Sequence, residues 1–421
     1  MSRIDPHELA LRQYERDRER AARVVDLWPT KRTRMTSSPL AFFRGSAPLF
    51  FELLSEDKWL AEGPAGAGWI AGDLHLENFG AYRPERGSRA ELEGGVHAYA
   101  VNKRGQLTAV FELNDFDEAF IGPWSIDVVR LAASMILVGR QFGSSGLRSL
   151  ELCARLIDAY AHRSFRGAID DLAIPEPVRM LVERSGARKQ RALLEHRTEI
   201  VRKKRRFKRS KGYLELPSEW MAKLPGAIAR YTKGVAEKMR PTAAQMEIVD
   251  ATFRVAGNGS LGALRLAVLV RGNSASDDGE GNGAWVLDMK EEGAPAGAAW
   301  GTTPHVPPAA RVEMATRACV ASVPKRLGTT TMGGKSMLVR RLSPQEDRLV
   351  LSDLRDQDLN GLCDYLGQLS AAAHQRGATE PPKKPWTKGE KRDLLERAVR
   401  IASIHEAAYL SYCTIVRAHM R

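Results

Sequence analysis

The chain has 421 residues, room for two or three domains at roughly 100–200 residues each, and its 43% hydrophobic and 27% charged content excludes wholesale disorder. No run reaches the roughly 18 unbroken apolar residues of a membrane helix. The charged start MSRIDPHELALRQYERDRERAARVVDLW lacks the apolar core of a secretory signal, so a cytoplasmic protein without membrane contact is expected. The 64 Lys and Arg against 51 Asp and Glu give a net charge of +13, which favours polyanionic partners such as nucleotides, phosphorylated substrates or nucleic acid. Cys153, Cys319, Cys363 and Cys413 show no C-x-x-C spacing and read as reduced thiols rather than a disulfide frame or zinc site.

Residues 1–70 read as helical, with a charged helix over Arg12–Arg23 and a dense apolar face in SSPLAFFRGSAPLFFELL. Short apolar segments at 68–82 and 107–124 end in polar, glycine-bearing loops. From 124 to 200 the apolar spacing is helical, broken at Pro175 and Pro177. The run VRKKRRFKRSKG (201–212) concentrates the positive charge and reads as a solvated helix end or loop, or else as a polyanion contact; Phe207 alone offers little base stacking. A linker is expected around LPSEW and LPGAIARY. Near residue 248 the pattern turns to strands: IVDATFRV, a glycine turn, ALRLAVLVRG, the flexible composition of GNSASDDGEGNG (272–283), and WVLDMKEE. AARVEMATRACVASV reads as a helix, KSMLVRRL as a strand, and 355–377 and 387–420 as helices around PPKKPW.

Three constellations carry chemistry. In IAGDLHLENFG (70–80), Asp73 and Asn78 stand five apart on a loop after an apolar strand, the spacing of a kinase catalytic loop in which Asp takes the acceptor proton and Asn holds a metal. Asp73, His75 and Glu77 alone are too few ligands for a metal centre of their own. In AVFELNDFDEAFIGPWSIDVVRLAAS (109–134), a strand delivers Asn114, Asp115 and Asp117 in an acidic turn suited to a magnesium that also touches phosphate oxygens; Asp127 follows at a helix start, where it can serve as a cap. GNGSLG (257–262) matches G-x-G-x-x-G, and because strands flank it on both sides, Gly257, Gly259, Ser260 and Gly262 read as a glycine-rich lid over phosphates rather than a dinucleotide turn.

Lys290 ends the strand WVLDMK as the phosphate-contacting Lys of a kinase does, with Glu313, on the following helix, as its expected ion-pair partner; Glu291 and Glu292 are too close along the strand to fold back. The order is inverted, since Asp73 precedes Gly257. A circular permutation reconciles this: LVRRL (338–342) becomes the strand entering the hinge, and LNGLCDYLGQLSAAAHQRGA (359–378) the helix that leads toward the catalytic loop. His374, on the Ala-rich face of that helix, reads as structural.

FFRG (42–45), GDLHLENFG (72–80), LNDFDEAFIGPW (113–124), AGNGSLG (256–262), MK (289–290) and AAAHQRG (371–377) together resemble the bacterial domain-of-unknown-function family 2252, over roughly residues 30–380. That family is distantly similar to aminoglycoside phosphotransferases and other protein-kinase-like enzymes. The resemblance implies Asp73 as catalytic base, Asn78 and Asp115 as magnesium ligands, and Asp127 as a brace for the catalytic loop. Ala71 and Gly72 depart from the kinase pattern, which has His before the catalytic Asp.

The expectation is an α+β, protein-kinase-like two-lobed fold, circularly permuted: residues 1–240 and 343–421 a helical lobe, residues 241–342 a β-rich ATP-binding lobe. The expected activity is transfer of a γ-phosphoryl group from Mg-ATP to a hydroxyl, with Asp73 as base, Asn78, Asp115 and Asp117 at magnesium, and Lys290 with Glu313 at the phosphates. The alternatives are an AMP-transferring enzyme with ATP turned end for end in the same site, and a nucleotide- or nucleic-acid-binding protein without turnover.

Overall fold

The computed structural model describes residues 4–85, 87, 92, 95–166, 173–276 and 281–419. Four helices lead: α1 (Pro6–Ala21), α2 (Trp28–Met35), α3 (Pro39–Gly45) and α4 (Ala47–Glu56). The Asp5 side chain accepts from the His7 N–H at 2.8 Å and the Ser38 hydroxyl from the Ala41 N–H at 3.1 Å, each just ahead of a proline that opens its helix. β1 (Ala67–Ile70) and β2 (Phe79–Tyr82) flank the loop that carries Asp73. β3 (Tyr99–Val101) and β4 (Leu107–Leu113) extend β2 into an antiparallel ladder, and β5 (Phe120–Pro123) returns to pair with β1. α5 (Trp124–Gln141) is buried from Trp124 to Gly139, as a helix apolar on all sides must be. α6 (Gly146–Arg166), α7 (Glu176–Gly186) and α8 (Gln190–Arg197) follow.

The basic run is not a helix end but a hairpin and the short loop after it, 208–212. β6 (Thr198–Val201) and β7 (Lys204–Phe207) form a hairpin whose turn residues, Arg202 and Lys203, sit at φ 48° and 63°. Part of its charge is spoken for: Arg205 is buried against Thr198 and Asn282, and Arg209 pairs with Glu215 and Asp250. After β8 (Tyr213–Leu214), the expected linker is the helix α9 (Ser218–Gly234). Pro217 precedes its first turn, and Pro225 lies inside it. Trp220, Leu224, Ala227, Ile228 and Tyr231 form a buried apolar stripe, and packing it outweighs the hydrogen bond that Pro225 removes.

The remaining elements are β9 (Ile248–Arg254), β10 (Arg265–Val270), β11 (Trp285–Glu291), α10 (Pro308–Cys319), β12 (Gly328–Met332), β13 (Lys335–Leu342), β14 (Asp347–Arg348), α11 (Asp356–Arg376), β15 (Ala378–Glu380) and α12 (Lys388–Ala418). Thr387 and Glu390 cap α12 reciprocally. The architecture is α+β. Its largest sheet has the antiparallel order β12-β13-β11-β10-β9-β8. Residues 213–234 pack with this sheet, ahead of the expected boundary at 241. Among the described residues no helix is long and apolar enough to cross a membrane.

Side chains alternate across this sheet. Phe253, Leu266, Val268, Leu287, Met289, Met337 and Val339 point into a core shared with α9. The opposite face carries Arg254, Arg265, Asp288, Lys290 and Arg340 near the β9–β10 turn, with Lys290 opposite Arg265 on one side and Leu338 on the other. A second, larger core joins α4, α5, α6, α11 and α12 with the Asp73 loop.

The glycines of the β9–β10 turn are not equivalent. Gly262 has φ 95°, and a Cβ there would stand 1.9 Å from the Arg20 carbonyl oxygen at the end of α1. A Cβ on Gly259 would meet the nearest atom, the Arg44 carbonyl oxygen, at an ordinary 3.5 Å. Gly262→Ala should therefore destabilise by about 2 kcal/mol or more through strain and displacement of backbone, and Gly259→Ala by less than about 1 kcal/mol. Urea midpoints of the two variants check this; equal midpoints would contradict it.

Candidate functional site

The loop carrying Asp73 begins where β1 ends. Gly72 turns at φ 76°, with no room for a Cβ against the Glu118 carbonyl. Asp127, in the first turn of α5, accepts the Ala71 and Gly72 N–H groups at 2.7 and 2.9 Å. His374 Nε2 lies 3.1 Å from the same carboxylate, its Nδ1 2.7 Å from the Tyr160 hydroxyl, and its ring stacks on Trp124. Further along, Asn78 Oδ1 accepts the His75 N–H at 2.7 Å, and the Asn78 carbonyl accepts the Asn114 N–H at 2.9 Å, which ties this loop to the acidic turn.

Asp73 itself meets Arg130 of α5, whose Nε donates at 2.7 Å and whose Nη2 also binds the Phe43 carbonyl at 3.0 Å. The Arg130 guanidinium is sealed between the Phe43 and Phe50 rings, 4.3 and 4.5 Å from their centroids. Burial lifts the Asp73 carboxyl to about 7; Arg130 opposes this, and Glu118 and Asp115 add to it. Arg130 was not singled out in the sequence. Its signal is a lone Arg in the otherwise apolar helix DVVRLAASMILV, since a charge so placed must be buried with a partner.

In the acidic turn, Asp117 pairs with Lys290 across the cavity. Glu118 accepts the Ala296 N–H at 2.6 Å, and burial raises its carboxyl. Asp115 lines the same cavity and, among the described residues, accepts only a long 3.4 Å contact from the Asp117 N–H. Arg311 of α10 braces the turn from behind through the Asp117, Ala119 and Gly293 carbonyls.

Glu313 is not the partner of Lys290. It pairs with Arg317 one turn on, at 2.8 Å, and the second carboxylate beside Lys290 is Glu292, at 3.5 Å. The sequence argument against Glu292 overlooked strand periodicity: residues i and i+2 share a face, so no folding back is needed.

Gly257, Gly259 and Ser260 line the cavity, while Gly262 packs on α1. The turn is held by two cations of α2, the buried Lys31 and the half-buried Arg34. Lys31, paired with Asp17 at 3.1 Å, donates to the Asn258 carbonyl at 2.9 Å, and Arg34 donates to the Gly257 carbonyl. Asn258 donates to the Ala41 carbonyl at 2.6 Å.

These parts enclose one cavity of about 590 Å³ that holds Asp73, Asn78, Asp115, Asp117, the glycine turn and Lys290 together. One strand repeat from Lys290, Asp288 is ringed by Arg254 at 2.7 Å, Arg265 at 2.5 Å and Arg340 at 3.8 Å. Burial would raise that carboxyl, but Arg254 and Arg265 hold it well below the usual range. At the mouth, Glu77 binds Arg44 of the FFRG segment at 2.8 Å and Arg348 at 2.9 Å.

Among the described residues no three His, Cys, Asp or Glu stand close enough to hold a metal by themselves. A magnesium site does not require that, because this ion keeps waters and shares its shell with phosphate oxygens, needing only one or two carboxylates. Asp115 and Asp117 supply hard oxygens, and Asn78 Oδ1 retains one lone pair. The donor set therefore fits magnesium.

Residues 23–415 match the family model described as an uncharacterized protein conserved in bacteria (DUF2252). The chain belongs to this family. No curated protein and no solved structure matches it.

The His374 cluster is structural by its geometry, fully enclosed and turned away from the cavity toward Asp127 and Tyr160. His374→Ala should cost about 1–3 kcal/mol by leaving the buried Tyr160 hydroxyl without its partner. The check is a shift in denaturation midpoint; an unchanged midpoint would contradict the assignment.

Proposed function

We propose that this protein is a magnesium- and ATP-dependent phosphotransferase that moves a γ-phosphoryl group to a hydroxyl, on a kinase-like two-lobed fold whose chain order is permuted. The observation that carries this reading is the pairing of Lys290 with Asp117 in the cavity that also holds Asp73, although the two segments lie more than 170 residues apart. The strand order also supports it: a glycine turn between β9 and β10, the Lys strand β11 beside them, then one helix and two more antiparallel strands.

In this reading Asp73, its rotamer fixed by Arg130, orients the acceptor hydroxyl and takes its proton; a carboxyl near 7 is matched to that task. Lys290 balances phosphate charge, and the Gly257–Ser260 turn lines the same space. Asn78, Asp115 and Asp117 hold the magnesium, which supplies charge neutralisation at the phosphates when bound. Arg311 and Asp127 touch no reacting group; they position the two loops that do.

The ring of arginines around Asp288 favours a second reading. That wall of the cavity is ionic rather than apolar, and it suits terminal phosphates better than a base. ATP turned end for end would present its α-phosphate to the acceptor, and AMP would be transferred. Product mass separates a phosphoryl from an adenylyl adduct.

Asp73→Asn should leave Mg-ATP affinity nearly intact and cut turnover by about 10²–10⁴-fold. Asp115→Asn should weaken Mg-ATP binding as well, because it removes charge from the ion site. Calorimetry and basal ATP hydrolysis measure the two effects. If neither variant changes affinity or rate, the reading is wrong.

A base works deprotonated, so kcat/KM for hydrolysis should fall as pH drops through about 7, the range set by Asp73. The profile of the native chain checks this, and an acid limb confined to pH below about 5, the range of an unshifted carboxylate, would rule Asp73 out as the base.

A further inference from the structure

Behind the cavity wall, the turn Pro324–Leu327, closed by the Leu327 N–H on the Pro324 carbonyl at 3.3 Å, sits between Arg83 and the strand β13. The Lys325 N–H donates to the Arg83 carbonyl at 3.1 Å, and the Arg341 N–H donates to the Lys325 carbonyl at 3.0 Å. Arg83, Lys325 and Arg341 thereby meet on adjoining backbone, with Arg326 next in the chain, close enough that their charges repel. Two of the guanidinium groups lie on one indole: Arg326 at 4.1 Å and Arg341 at 4.9 Å from the Trp285 centroid. The carboxylate facing this group, Glu85, is engaged by the backbone N–H of Arg326. Among the described residues none of the four cations has a carboxylate partner within ion-pair distance.

Four cations facing one carboxylate repel one another, and a protein tolerates that where something offsets it. Burial, then Arg341 and Arg83, draws Lys325 down to about 8; burial, then Arg326 and Arg83, draws Arg341 down to about 9. The Nε groups of Arg326 and Arg341 and the Trp285 indole N–H are buried with no acceptor among the described residues. All three are donors, so what would satisfy them is an acceptor. Arg326 holds φ 57° as the third residue of the turn Pro324–Leu327, which fixes its place beside Trp285. All four cations remain partly exposed, so a solute can reach them.

We propose that Arg83, Lys325, Arg326 and Arg341, the last two stacked on Trp285, form a second anion-binding site, outside the cavity, that takes the diphosphate-sized group of a small phosphorylated molecule. Four cations bring more positive charge than one phosphate, at about −2, can balance. Guanidinium forks match phosphate oxygens in pairs. The site backs onto the cavity without sharing its side chains: Pro324, Leu327 and Arg340 line the cavity, and Lys325, Arg326 and Arg341 face away from it. The inference does not depend on the proposed phosphotransferase activity.

Inorganic pyrophosphate is the probe, titrated calorimetrically into the full chain at constant ionic strength. The native chain and a Lys290→Gln variant of the cavity should bind it alike, and Lys325→Gln/Arg341→Gln should bind it at least tenfold more weakly. Without anion, the double variant should melt no lower than the native chain, because it relieves repulsion. Should the double variant not fold, Arg83→Gln on the opposing segment serves, with the same expected loss. Citrate should bind more weakly than pyrophosphate. No binding by the native chain, binding lost in Lys290→Gln but kept in the double variant, or citrate binding as tightly as pyrophosphate would each overturn the proposal.

Discussion

The Asp127 carboxylate is the fixed point of the candidate site. It is fully buried and takes two backbone N–H groups, from Ala71 and Gly72, while His374 holds it from the other side. A buried charge is tolerated only when its lone pairs are met, so Asp127, the start of α5 and the loop entering Asp73 must be placed together or not at all. From that anchor the rest follows. α5 carries Arg130 one turn further along to meet Asp73. Asn78 passes the constraint to the acidic turn through the Asn114 N–H, and Asp117 passes it to the sheet through Lys290.

The cavity is built from opposed charges rather than from an apolar pocket. Asp73, Asp115, Asp117 and Glu118 stand on the two loops and Glu292 beside Lys290, and burial pushes Asp73, Glu118 and Glu292 upward. Lys290, Arg265, Arg340 and Arg44 stand against them. Such a space favours a ligand that brings both signs, and a metal-bound nucleotide is one. The same sheet face turns apolar beyond Asp288, where Ala267, Leu269, Val286 and Leu342 pack on α8 and β7, so the polar stretch ends where the cavity ends.

Local signals in the sequence reached the elements that carry chemistry. The Asp73 loop, the acidic turn, the glycine turn between two strands and the Lys290 strand all stand where their residue patterns place them. Partner choice was less legible, because it is settled across the fold. Glu313 sits on the helix after Lys290 but spends its charge on Arg317. Arg130 and Arg311 supply the supports for the two loops, and neither stands in a motif that names its partner. Two elements were misread for local reasons. Prolines at 217 and 225 disguised α9, whose stability comes from the sheet beneath it, and a hairpin turned by Arg202 and Lys203 shows none of the Asn or Gly that usually marks such a turn.

The central claim is that one space between the Asp73 loop and the Lys290 strand receives a metal-bound nucleotide. Crystals of the full chain grown with manganese and a non-hydrolysable ATP analogue test it most directly, since the metal's anomalous signal locates the ion independently of the protein. The account predicts an ion ligated by Asp115 or Asp117, with analogue phosphate oxygens between it and Lys290. An ordered analogue bound elsewhere, or one in this cavity with no ion at the acidic turn, would contradict it.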